Sequence, residues 1–89
     1  MDTVNVTLTK PVEHDGKTYS GLTFREPDVG DLLLAETAST DMGRMVNILA
    51  SISDVPVPAF KKIKGSDFKT ILKETKDLLG NGETNTTGA

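Results

Sequence analysis

At Leu22-Thr23-Phe24-Arg25-Glu26-Pro27 the spacing of apolar residues changes from a period of two to that of a helix, which limits the chain to few architectures. Before this junction Val4, Val6 and Leu8 alternate with Asn5, Thr7 and Thr9, while Leu22 and Phe24 alternate with Thr23 and Arg25. Both stretches read as half-buried strands, and His14-Asp15-Gly16 lies between them. A two-residue Asp15-Gly16 loop would set Leu8 opposite Thr23 and waste both apolar faces. A three-residue loop from His14 to Gly16, with a left-handed Gly16, sets Leu8 opposite Leu22 and Val6 opposite Phe24, and is the expected turn. Pro11 has no N–H to donate, so its strand is expected to be interrupted or at an edge there.

Asp28 is the expected N-cap of a first helix from Val29 to Ser39, and Asp31 adds negative charge where the helix dipole favours it. Val29, Leu32 and Leu33 share one face of this helix, and Leu34, Ala35 and Ala38 the other. A helix apolar on two sides is expected between the hairpin and another helix of the same chain. The alternative makes the Leu34 side a docking surface. Asp41 is expected to cap a second helix that runs to Ser53, with Met42, Met45, Val46, Leu49 and Ile52 on one stripe and Ile48 at its margin. Asp54-Val55-Pro56-Val57-Pro58 stops it, and a short helical turn is expected from Ala59 to Ile63. Gly65 then breaks the chain and Ser66 caps a further helix, marked by Phe68, Ile71, Leu72, Thr75, Leu78 and Leu79, with Gly80 at its C-terminal cap. Residues 81–89 contain no large apolar side chain and are expected to form a disordered polar tail. Residues 1–80 are therefore expected to form one small α+β domain. In it an N-terminal antiparallel β-hairpin is followed by about three α-helices packed on it.

The core of such a domain is thin, with three Phe, one Tyr and no Trp, so added stability from a partner or from a homo-oligomer is expected. On that view Met42 and Met45 fill the core, or are core in the oligomer and surface in the monomer. The absence of Cys excludes disulfides, thiolate zinc sites and cysteine nucleophiles. No apolar run approaches the roughly 18 residues of a membrane span, and the first residues carry no secretory pattern, so neither export nor membrane insertion is expected. A net charge of −3 argues against nucleic acid as a partner. Lys61, Lys62, Lys64, Lys69, Lys73 and Lys76 are interspersed with Asp67, Glu74 and Asp77 and read as a solvated face.

Catalytic signals are lacking. His14 falls at a loop tip without the walls of a cleft. Glu26, Asp28 and Asp31 do not have the spacing of a calcium loop, and Gly16-x-x-x-x-Gly21 lacks the Lys-Ser/Thr of a phosphate loop. No enzymatic activity, cofactor or metal is expected.

The junction at Leu22 to Pro27 runs into Asp28-Val29-Gly30-Asp31-Leu32, is preceded by Leu8-Thr9-Lys10-Pro11-Val12 and is followed by Gly65-Ser66-Asp67-Phe68. In this order the segments resemble the E-like tail assembly chaperones of contractile-tailed phages, the Mu-like type included, from Val4 to Leu79. The resemblance implies a non-structural phage or prophage protein of the host bacterial cytoplasm, absent from the mature virion. It implies binding of the tape measure protein, which is kept soluble while tail tube subunits assemble around it. A longer, frameshifted form of the same chaperone and the tail tube subunit are the other implied partners. A long helical partner with apolar stripes calls for an apolar groove between helices, expected to be lined by Leu33, Leu34, Ala38, Met42, Met45 and Leu49. The alternatives are a structural tail or head-completion component, with longer and more regular β content, and a small DNA-binding regulator, whose binding would weaken steeply with salt.

Overall fold

The computed structural model describes residues 3–80, so the expected tail at 81–89 lies outside the described residues. The elements are β1 (Thr3–His14), β2 (Lys17–Arg25), α1 (Val29–Ala35), α2 (Asp41–Ile52), α3 (Val57–Phe60) and α4 (Gly65–Thr75). The two strands form one antiparallel hairpin; α2, α3 and α4 pack on it and α1 packs on α2, giving the expected α+β architecture. Among the described residues no helix is long and apolar enough to cross a membrane.

The hairpin closes through two residues, not three. Asp15 (φ 52°) and Gly16 (φ 77°) both take the left-handed conformation, the turn whose twist matches that of paired strands. His14 pairs with Lys17 and Val12 with Tyr19, but the register shifts between Thr7 and Val12. Beyond the shift Val6 faces Leu22 and Val4 faces Phe24, so the expected pairings of Leu8 with Leu22 and Val6 with Phe24 are not formed. The irregularity spans Leu8 to Pro11, where Pro11 has no ladder donor to lose. Apolar residues thus return to the same face without lengthening the turn.

A broken ladder leaves backbone donors to satisfy. Asp67, in the first turn of α4, takes them up. The N–H of Thr9 lies 3.1 Å from both carboxylate oxygens, the N–H of Lys10 donates to Oδ2 at 3.1 Å, and the Thr9 hydroxyl donates to Oδ1 at 2.9 Å. Asp67 is buried, and so does not belong to the solvated face expected of this region. The Thr9 N–H, with those of Lys10 and the Thr9 hydroxyl, holds its carboxyl below the usual carboxylate range although burial opposes this. This one side chain ties the last long helix to the first strand.

Around that tie Val6, Leu8, Leu22 and Phe24 of the hairpin meet Leu49 and Ile52 of α2, Phe60 of α3 and Ile71 of α4. The Phe60 and Phe68 rings pack edge to face, with centroids 6.3 Å apart.

Helix boundaries differ from expectation where short polar side chains decide them. α1 stops at Ala35 instead of Ser39, and the Thr37 hydroxyl donates to the Leu34 carbonyl at 2.8 Å in the turn that follows. Thr40, not Asp41, caps α2, accepting the Gly43 N–H on its hydroxyl at 3.0 Å. The turn is tight: a Cβ on Gly43 would lie 3.0 Å from Ala38 Cβ. α3 begins at Val57, ahead of the expected Ala59, because Pro58 sits in the first turn, where its missing N–H has no helical partner to lose. α4 is capped by the extended Lys64, with Ser66 inside the helix, and left-handed Gly80 ends a run of turns after Thr75.

Truncating Phe60, 2 % exposed, to Ala should cost about 3–5 kcal/mol in urea unfolding. Asp67→Ala should also lower the urea midpoint, well beyond Ser66→Ala on the exposed side of the same turn; equal midpoints for the two variants would show that the bulge needs no buried acceptor.

Candidate functional site

α1 reads Val29-Gly30-Asp31-Leu32-Leu33-Leu34-Ala35, and an ordinary surface helix of that sequence would bury its leucines and turn its one acid to water. The reverse is observed. Asp31 is 6 % exposed, whereas Val29 is 72 %, Leu32 48 %, Leu33 62 % and Leu34 44 % exposed. The only apolar residue that α1 buries is Ala35.

Asp31 is drawn inward by donors from three directions. Arg25 at the end of β2 donates from Nη1 to Oδ2 at 2.8 Å and from Nη2 to Oδ1 at 3.1 Å. The Asp28 N–H donates to Oδ2 at 2.7 Å, and the Ser51 hydroxyl of α2 donates to Oδ1. The Arg25 hydrogen bonds pull the Asp31 carboxyl far below the usual carboxylate range; burial opposes them, and the Ser51 hydroxyl and Asp28 N–H reinforce them. The same bond to Asp31 raises the Arg25 guanidinium, so the two partners agree in sign. A helix turns about 100° per residue, so with Asp31 facing α2, Leu33 points about 160° away. At the other end the Asn47 amide of α2 donates to the Leu34 carbonyl at 3.0 Å and to the Thr37 hydroxyl at 3.1 Å. Polar contacts therefore hold both ends of α1 while its large apolar side chains stay outside.

This overturns the expected sandwich of α1 between hairpin and helix, and it divides the expected groove. Leu33 and Leu34 are exposed on α1, and Ala38 is half-buried in the turn against Gly43. Met45 is half-buried against the core, and Leu49 is fully enclosed in it, so Leu49 offers no surface. Met42 is exposed but lines a separate cavity of about 220 Å³ with Val46, Phe60, Ile63 and Phe68. The six residues do not line one groove. Val29 and Leu32, which the helical wheel set apart from Leu34, join Leu33 and Leu34 on the open surface. The available signal was a basic residue at the end of β2 six positions before the only acid of an otherwise apolar helix.

A second cavity of about 500 Å³ runs along β2 from Lys17 to Thr23, with Ile52 to Val55 opposite. His14 stands at the hairpin tip, 3.5 Å from the exposed Asp15 carboxylate. Among the described residues no group of three or more His, Cys, Asp or Glu is placed to hold a metal. What α1 offers chemically is preformed apolar contact area.

A family model described as phage tail assembly chaperone proteins, E, or 41 or 14, matches residues 5–80. No curated protein and no solved structure matches the chain.

Because the folded-state carboxyl of Asp31 is depressed, its contribution to stability is complete above the unfolded value near 4 and is lost as pH falls from there toward the folded value. Asp31→Asn should cost about 2 kcal/mol at pH 7, less than the loss of a fully buried pair because the Arg25 side chain is 41 % exposed. The gap between the parent and variant melting temperatures should narrow below about pH 4. A gap independent of pH would show that the ionised pair contributes nothing.

Proposed function

The chain belongs to the phage tail assembly chaperone family, and on that premise we propose that it binds the tape measure protein, keeps it soluble and assists tail tube assembly. The supporting observation is the outward face of α1, where four large apolar side chains stand exposed on a helix held by polar bonds to the buried Asp31. A partner that is long, helical and apolar along one stripe needs such a surface ready before the tube encloses it. Full burial of a leucine contributes roughly 1.5–3 kcal/mol, and association itself costs several, so a face of this size favours binding that is firm yet reversible. Reversibility is required of a protein that leaves the finished particle.

In this reading the protein works in the host bacterial cytoplasm, has no catalytic role and is absent from the virion. The longer frameshifted form of the same chaperone and the tail tube subunit are its further partners.

Co-expression with the tape measure protein tests the proposal. Soluble tape measure protein that co-purifies with this chain is expected; tape measure protein that stays insoluble, with and without the frameshifted form, would overturn it. Leu33→Asp and Leu34→Asp should each weaken the complex at least tenfold while moving the melting temperature little, as exposed substitutions usually change stability by less than about 0.5 kcal/mol.

A further inference from the structure

We propose that the open face of α1 receives an amphipathic α-helix whose apolar stripe is bordered by lysine or arginine. This rests on the reading that the face binds a partner, and it specifies the partner's chemistry.

Val29, Leu32 and Leu33 stand at i, i+3 and i+4, the spacing by which one helix packs on another. The unpaired charges around them are acidic, because the nearest cation, Arg25, is held by Asp31 at 2.8 Å and lies 3.8 Å from Asp28. Of the seven charged residues from Glu26 to Phe60 only Arg44 is basic, and it is paired with Asp41 at 3.0 Å. Glu26 and Asp28 stand exposed at the N-terminal end of α1, and Glu36 at its C-terminal end. Glu36 keeps helical dihedrals and lies about 20° from Val29 around the axis, between Val29 and Leu32, so it closes the C-terminal end of the apolar face. An acid at a helix C-terminus opposes the helix dipole, and Glu36 has no ion-pair partner among the described residues. A cation brought by a partner relieves both.

A second copy of the chain fits the face poorly. Setting α1 against α1 brings acidic rim to acidic rim. The lysine-rich segment from Lys61 to Lys76 supplies the right charge, but its apolar side chains Ile63 and Phe68 are half-buried and line a concave cavity with the exposed Met42, not an exposed helical stripe. Among the described residues no exposed helical stripe carries a basic border, so the occupant is assigned to a different chain.

The test uses the full chain and two synthetic helical peptides with one leucine stripe, bordered by lysine in the first and by glutamate in the second. By calorimetry at low salt the lysine peptide should bind at least tenfold tighter, and its advantage should shrink severalfold at about 0.5 M salt. Glu36→Lys should weaken the lysine peptide severalfold. Leu33→Ser should weaken it at least tenfold, which a purely electrostatic attraction would not do. Equal affinities for the two peptides would overturn the proposal. So would sedimentation of the chain alone as an oligomer that Leu33→Ser dissolves, since a second copy would then be the occupant. Tape measure protein solubilised equally by the parent and Glu36→Lys chains would overturn the charge rule and leave the chaperone reading standing. A lysine-peptide preference with no effect on the tape measure protein would uphold the charge rule and remove only that reading.

Discussion

A buried carboxylate decides which way α1 faces. Removing Asp31 from water is costly unless its lone pairs are filled, and two N–H groups of Arg25, the Asp28 N–H and the Ser51 hydroxyl fill them. Rotating α1 by half a turn would hide the leucines but strand this carboxylate and take from Arg25 its closest carboxylate partner. The orientation with leucines in water prevails because donors from β2, the α1 N-terminus and α2 converge on one point. Buried ion pairs are weak sources of net stability compared with apolar packing, so the arrangement is better understood as fixing orientation. Orientation is what a surface for another helix needs.

Asp67 plays the matching part at the other end of the molecule. It gathers the N–H groups that the irregularity of β1 releases, as Asp31 gathers donors at the end of β2. The segments from Leu8 to Val12 and from Gly65 to Phe68 are far apart in the chain and meet through this one carboxylate. With few aromatic side chains in the core, hydrogen bonds to ionised groups, stronger than neutral ones, help fix the helices to the hairpin.

The strands, their junction with the helices and the order of the helices were legible because each leaves a periodic trace in the sequence. Turn length was not. Three residues are favoured only where both strands pair without a break, whereas the ladder breaks at Leu8 to Pro11 and its donors find Asp67, 58 positions beyond Thr9. The direction of α1 was legible only in part: Arg25 stands six positions before Asp31 in the sequence, but Ser51, twenty positions beyond it, joins the site only in the folded chain. Leu49 and Met42 lie on one stripe of α2 by spacing, yet one is enclosed and the other open, because the core covers only part of that helix.

Of the seven residues of α1 only Asp31 and Ala35 are buried, so detaching this helix from α2 would uncover little apolar area. The polar clamps at its two ends then carry most of what holds it down, while α2 and the hairpin keep their own core. Such an element opens at lower free energy than the domain melts. Its amide hydrogens should exchange ahead of those of α2, making the surface proposed to receive a partner also the part of the fold that lets go most readily.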